Sequence, residues 1–309
     1  MSFLKKISQN HWKYKHWYYL FPALIIAIIF NFYTLNKTFL ISLDSGYNKF
    51  ADVFSYYFNF KNYRNIFVDQ DFLKALLNTF LLVLTAVPLS IFISLMIALG
   101  LNNVYNRFLK KFFQTVFFLP YLANSVIMGM VFAVLFYHNI FAFKDSSEGL
   151  INQFFNSSRD WINPAASYFS KMFVLVIYVV WRSLPFQILI FSVSLQNIGK
   201  NYFDAARVDG ASKMTIFRKI TLPLLSPIVF YQIIITMIQV FKEYESVVGI
   251  YGTNELKVNT IVGYIYHQIS NPVLDSYSKG AAATIILFLI SIFFTLFNFF
   301  FIKKKINRE

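Results

Sequence analysis

The residues with the most chemistry to offer sit inside apolar sequence. Between 170 and 197 the chain carries Tyr178, Arg182, Pro185, Ser192 and Gln196, spaced four, three, seven and four apart. Between 223 and 248 it carries Gln232, Thr236, Gln239 and Glu243, again four, three and four apart. Such spacings put side chains on one face of a helix. Each stretch therefore reads as a helix with a polar stripe in an apolar coat. A stripe of this kind either lines a hydrated path or hydrogen-bonds to a neighbouring helix; Gln232 and Thr236 favour the second, while Gln239 and Glu243 leave both open. Ionisable groups inside a bilayer cost about 2.5–3.5 kcal/mol each on insertion scales, which makes them functional candidates. Arg182 can pair with Glu243 or Glu245 as a gate or a strut. Lys242 can pair with Glu245, three residues on.

Other chemistries find no constellation. With no cysteine there is no disulfide, thiolate nucleophile, zinc–thiolate site or iron–sulfur cluster. His11, His16, His138 and His267 lack metal-ligand spacing, and no metal site is expected. Asp69 and Asp71 suit a helix start better than an acid/base pair. No nucleophile–base arrangement is present, so no catalytic residue is expected. A P-loop is also missing. The one Gly-Lys step, Gly199-Lys200, is followed by Asn201, and Ser194 stands where the first glycine is required.

The elements that must position the polar stripes follow from composition. Of 309 residues, 57% are apolar or aromatic, 14% are charged and 39 are Phe. An ordinary soluble domain carries about 25% charge, so this composition excludes a disordered chain and a typical cytosolic enzyme. A bilayer core needs about 20 apolar residues per helix, and stretches near 18–43, 77–100, 112–137, 170–197, 223–248 and 280–302 meet that length. The expectation is an all-α integral membrane protein of six transmembrane helices, forming a single domain over 1–309. A basic leader with Lys5, Lys6, Lys13 and Lys15 precedes the first stretch, which reads as a retained span. Trp12, Trp17, Tyr18 and Tyr19 fit an interfacial belt.

Charge sets the orientation. The segments outside odd and even span ends divide Lys and Arg sixteen to nine, and the richer side holds three acids against nine. The basic side is cytoplasmic by the positive-inside rule, with both termini inside. The net charge of +14 thus reflects topology and anionic lipid heads; nucleic acid is not an expected partner. Outside, 61–77 reads as a short amphipathic helix leading into the second span, and 138–169 as irregular structure.

The cytoplasmic 198–222 loop is patterned. Tyr202 or Phe203, Ala206 and Val208 form an apolar side of one short helix, and Met214, Phe217 and Ile220 of a second. Gly210 fits the turn between them, Ser212 caps the second helix, and Pro223 lies near the start of the fifth span. A mere linker needs no such order; this one reads as a docking surface for a soluble partner.

Here the chain resembles the permease subunits of binding-protein-dependent ABC importers. Their cytoplasmic signature is Glu-Ala-Ala, three residues, Gly, nine residues and Ile-x-Leu-Pro. Asp204-Ala205-Ala206, Gly210, Ile220, Leu222 and Pro223 keep every spacing, with Asp204 the one departure. Asn62-Tyr63, Phe67, Phe72, Asn78-Thr79, FFLPYL at 117–122 and WRSLPFQILIFSVSLQNI at 181–198 are similar to the sugar-type branch that includes maltose and multiple-sugar permeases. The chain departs at 249–255, GIYGTNE, where that branch often has Gly-Gly-Gly-Pro.

The resemblance implies a permease subunit in the bacterial cell membrane, paired with a second, similar permease. Two copies of a cytoplasmic ATPase would bind ATP and Mg and dock on the loop, an external binding protein would deliver a carbohydrate, and transport would proceed by alternating access. The loop residues implied in ATPase coupling are Asp204, Ala205, Ala206, Arg207, Gly210, Ile220, Leu222 and Pro223. This chain itself would bind no cofactor and would not be an enzyme. Sugar hydroxyls call for amides and carboxylates and the sugar ring for aromatic faces, so Tyr178, Arg182, Gln187, Gln239 and Glu243 are expected along the substrate path. Gln187 enters through the family-like run. Glycerol 3-phosphate is the alternative substrate, because Arg182 and Lys242 could serve a phosphate. A secondary transporter or channel, and more remotely a membrane-embedded lipid-modifying enzyme, are the readings outside the family.

Overall fold

The computed structural model describes residues 17, 19–104, 106–138 and 149–306. The basic leader, His11, His16, Trp12 and Tyr18 lie outside them, as do the side chains of Arg107 and Lys303 to Lys305. Five helices are long and apolar enough to cross a membrane: α1 (Tyr19–Leu43), α3 (Gln70–Asn102), α7 (Tyr168–Gln196), α9 (Lys213–Phe241) and α12, whose apolar part is Asp275–Phe300. A sixth candidate is a bent pair, α4 (Arg107–Phe118) and α5 (Ser125–Leu135). Shorter helices are α2 (Lys61–Val68), α6 (Leu150–Phe154), α8 (Lys200–Val208), α10 (Glu245–Tyr251) and α11 (Ile261–Ser270). Among the described residues there are no β-strands, only two isolated antiparallel bridges, Asp44 with Phe58 and Asn48 with Val53.

Two of the expected spans differ. The stretch 112–137 is not one helix. A 3-10 turn over Leu119–Leu122 follows α4, and α5 departs at 102°. Pro120 stops the first helix because it lacks the N–H to continue it. Asn124 then starts the second, its side chain accepting from Val126 N at 2.9 Å and Ile127 N at 3.3 Å. The stretch 223–248 also breaks, since α9 ends at Phe241 and α10 starts at Glu245. At its other end α9 begins earlier than expected, at Lys213, and runs through a π-turn over Phe217–Thr221. Pro223 supplies the cause, because it cannot donate to the Lys219 carbonyl, and the ladder adjusts by one residue. The 61–77 segment behaves as expected, with α2 followed at once by α3, whose cap is the Asp69 carboxylate accepting from Asp71 N at 2.9 Å.

The chain divides into two compact units, residues 1–68 with 265–286, and residues 69–264 with 287–309. In the first, Ile41, Tyr47 and Ala281 form a small core with Phe54 and Tyr277 against it. The loop after α1 is organised by buried Asp44, which accepts from Ser55 N (2.7 Å), Gly46 N (3.0 Å), Tyr56 N (3.2 Å) and the Ser55 hydroxyl. Asn62 donates to the Ser42 carbonyl at 2.9 Å, and the Tyr63 and Ser42 hydroxyls bond at 2.7 Å.

In the second unit, α3 packs on α7 and α9. Its buried face includes Ala86, Ser90, Ser94 and Ala98, a stripe of small residues at four-residue spacing that lets backbones approach where lipid provides no hydrophobic drive. Opposite lie Leu175, Tyr178, Phe191 and Leu195 of α7 and Leu225, Met237 and Phe241 of α9. Leu84, Phe92, Val134 and Phe293 remain exposed on the chain. Helix directions follow from side-chain pairs. Tyr168 reaches Asn78 and Gln187 reaches Ser90, so α3 and α7 run parallel. Gln187 meets Thr236 while Arg182 meets Glu243, so α9 runs antiparallel to α7.

Candidate functional site

Midway along α7, Arg182 lines a cavity of about 510 Å³ together with Pro120, Tyr121, Ser183, Phe186, Gln239, Lys242, Glu243 and Glu245. Both helix breaks open onto it. The α4–α5 break contributes Pro120 and Tyr121, and the α9–α10 break contributes Lys242, Glu243 and Glu245. The Arg182 guanidinium bridges two carboxylates, Glu243 at 3.6 Å and Glu245 at 3.3 Å. Glu243 is buried, and it also holds the start of α10. Its other oxygen accepts from Ser246 N at 3.0 Å and from the Ser246 hydroxyl at 2.9 Å. A carboxylate there also suits the positive end of a helix. Glu245 is largely exposed to the cavity. Among the described residues it pairs with Arg182, and the anticipated pair with Lys242 does not form. Two cations and two carboxylates thus leave the cavity wall electrically balanced. Tyr121 and Phe186 stack with ring centroids 6.0 Å apart, adding an apolar aromatic face.

The break that opens the cavity is held by close backbone packing of α5 on α10. A Cβ added at Gly129 would lie 2.8 Å from the Gly249 Cα, and one at Gly249 would lie 2.6 Å from the Val126 carbonyl oxygen. Only glycine fits at either position.

Of the five residues expected along a substrate path, three line this cavity: Arg182, Gln239 and Glu243. Tyr178 and Gln187 do not. Tyr178 is fully buried and donates to the Ser125 carbonyl at 2.6 Å, fastening the start of α5 to α7. Gln187 is buried and its amide nitrogen donates to the Ser90 hydroxyl at 3.1 Å and the Thr236 hydroxyl at 2.8 Å, tying α7 to α3 and α9. Sequence reasoning missed Tyr121, Ser183 and Phe186. The proline beside each aromatic, Pro120 and Pro185, was the available signal, since a proline within an apolar stretch marks a place where the helix exposes itself.

The 198–222 loop has the helical form its sequence predicted. In α8 no residue is buried, yet both ends of the turn are closed. Gly210 has φ +71°, its N–H bonds to the Arg207 carbonyl at 3.0 Å, and the Ala211 N–H bonds to the Ala206 carbonyl at 2.9 Å. These two bonds are a Schellman motif, whose left-handed residue carries no Cβ penalty when it is glycine. Ser212 then accepts from Thr215 N at 3.2 Å to start α9. Asp204 and Arg207 lie 3.4 Å apart, both well exposed, on either side of the outward Ala205 and the half-buried Ala206. Ile220 is half-buried in the π-turn, and Leu222 and Pro223 begin the regular part of α9.

Residues 90–307 match the family described as the binding-protein-dependent transport system inner membrane component. The chain belongs to this family. The permease is 30% identical to a probable ABC transporter permease of Mycoplasma genitalium over 88% of this chain and 80% of the relative. It is 31% identical to the arabinooligosaccharides transport system permease protein AraP of Halalkalibacterium halodurans over 75% of this chain and 72% of that one. It is 25% identical to the sn-glycerol-3-phosphate transport system permease protein UgpA of Yersinia pestis over 93% and 94%. Among solved structures, a bacterial ABC transporter involved in import of the acidic polysaccharide alginate superposes with a TM-score of 0.78, covering 97% of this chain and 98% of that one at 19% identity. A bacterial alginate ABC transporter in complex with an alginate pentasaccharide-bound periplasmic protein superposes with a TM-score of 0.75, covering 95% of this chain and 94% of that one at 20% identity. The permease is therefore a multi-pass inner-membrane transport component of the sugar-type ABC importers.

Proposed function

We propose that this permease forms half of the translocation path for a neutral mono- or oligosaccharide, moved by alternating access. The observation that carries the reading is the Arg182 cavity. It offers guanidinium, carboxylate and amide groups for hydroxyls and the stacked Tyr121–Phe186 face for a sugar ring, while its two cations are matched by two carboxylates. A free phosphate or uronate would have to displace Glu243 or Glu245 from Arg182, so glycerol 3-phosphate is the second reading, kept open by the relation to UgpA.

The partners follow from family membership and the loop. A second permease completes the path, and an external binding protein supplies the sugar. Two copies of a cytoplasmic ATPase, which hold ATP and Mg, dock on α8 through Asp204, Ala205, Ala206 and Arg207. Support for that docking is a capped helix that buries nothing within its own chain. Ile220, Leu222 and Pro223 connect it to α9. The basic loops and both termini then lie in the cytoplasm.

The test is uptake by membrane vesicles holding the whole transporter and its binding protein. Labelled neutral oligosaccharides and glycerol 3-phosphate are compared with and without ATP. ATP-dependent uptake of a neutral sugar, lost on Arg182→Ala, supports the proposal. Uptake of glycerol 3-phosphate alone moves the assignment to the second reading. Uptake that ignores ATP but collapses with an ion gradient overturns both.

A further inference from the structure

Gln232 is fully buried on α9, and neither its amide nitrogen nor its amide oxygen has a hydrogen-bond partner. A buried amide in this condition is costly, because it has given up its bonds to water and gained none. Its retention in an apolar helix asks for a reason. One helical turn further along, Thr236 is bonded to Gln187. The Gln187 amide oxygen is also without a partner, as is the Ser192 hydroxyl, five residues on along α7. Because α7 and α9 run antiparallel, Ser192 and Gln232 lie on the same side of the Gln187–Thr236 pair. Ser90 and Ser94 of α3, both buried, repeat the same one-turn step. On the face of α9 that meets α7, the Thr236 level is thus bonded between helices and the Gln232 level is not.

We infer that Gln232 is the alternate partner of Gln187, engaged when α9 advances along α7 by one helical turn. An advance toward the α9 C-terminus brings residue 232 to the level now held by 236. The two amides can then bond reciprocally, which satisfies the Gln187 oxygen and both Gln232 atoms. The same step acts at the cavity: Gln239 lies four residues before Glu243, so it comes opposite Arg182 and releases Glu243. One displacement therefore gives both rungs of the stripe a new polar partner.

The ends of α9 are built for it. The π-turn over Phe217–Thr221 lies at one end and the break at Lys242–Tyr244 at the other. Each can absorb a change of length that a regular helix cannot. The first end continues directly into the Ser212 cap and α8, so a pull on the cytoplasmic loop is applied along the axis of α9. This step rests on the alternating-access reading and gives it a moving element.

The natural absence of cysteine makes the test direct. The pairs Gln187→Cys with Thr236→Cys and Gln187→Cys with Gln232→Cys are made in the assembled transporter in membranes. A short bifunctional thiol reagent is applied at rest and after arrest with ATP and vanadate. The 187–236 link should dominate at rest and the 187–232 link in the arrested state, each changing at least about fivefold. In parallel, Gln232→Leu removes an unpartnered amide. It should leave the resting protein as stable or more so while lowering ATP-driven uptake at least about tenfold. An unchanged 187–236 link in the arrested state, with wild-type uptake still ATP-dependent, overturns the advance of α9 and leaves the importer reading intact. Wild-type uptake independent of ATP overturns the importer reading itself. Full uptake by Gln232→Leu overturns the role of Gln232.

Discussion

At the scale of single residues, charge burial separates struts from sites. Lys171, at the start of α7, is 1% exposed and its ammonium pairs with Glu255. It also lies 5.5 Å from the Tyr251 ring centre, and the Tyr251 hydroxyl donates to the Lys171 carbonyl at 2.5 Å. Removing one partner leaves a buried charge alone, so Lys171→Met should destabilise the protein by about 3–5 kcal/mol. Adding Glu255→Gln should recover most of that loss, read by thermal unfolding in detergent; no recovery would mean that packing, not charge, is responsible. Asp44 gives a pH prediction. Burial pushes its pKa up, but hydrogen bonds from Ser55, Gly46 and Tyr56 outweigh this and hold it below the ordinary 3.8. A lowered folded pKa means stabilisation that is complete above the ordinary value and is lost as pH falls through the lowered one. Hydrogen exchange at the Ser55 and Tyr56 amides, corrected for intrinsic rates, should rise in that acid range. In Asp44→Asn it should be fast at all pH values.

At the scale of elements, the cavity depends on two breaks and one contact between glycines. Gly129→Val or Gly249→Val forces α5 off α10, an overpacking that should cost about 1–3 kcal/mol or more. Either variant should remain in the membrane and lose uptake, and normal uptake would show that this contact does not shape the path. In the loop, Gly210→Pro cannot adopt φ +71° and loses the N–H that bonds to Arg207. Coupled uptake should be abolished with membrane insertion unchanged. Gly210→Ala carries only the left-handed penalty, about 1 kcal/mol, and should retain partial uptake. Equal activity of both variants would count against a docking role.

At the scale of the whole molecule, the distribution of charge matters more than the +14 total. If the basic loops are cytoplasmic, Asn59→Cys should react with an impermeant maleimide in intact cells and Lys213→Cys only after permeabilisation. The reverse pattern would invert the topology. Both positions are exposed, and the chain has no competing thiol.

Much of this was determined by sequence alone. Apolar runs of sufficient length and proline or glycine at turns are local properties, so the places of five long apolar helices, the cap at Asp69 and the Gly210–Ser212 turn were legible, though not where the fifth-span stretch breaks. The family signature was legible because its spacing is local too. Tertiary structure decided what the polar residues do. Tyr178 and Gln187 carry the same types of groups as residues of a path, yet face Ser125, Ser90 and Thr236. Asn78 and Thr79 are tied to the chain near 260: Asn78 donates to the Lys257 and Asn259 carbonyls, and Thr79 accepts from Ile261 N. Lys171, at the edge of the 170–197 stretch, shows no role in the sequence until its partner 84 residues away is seen. Periodicity states which side of a helix is polar; only the packing of other helices determines whether that side meets a cavity, a neighbour or, at Gln232, no partner.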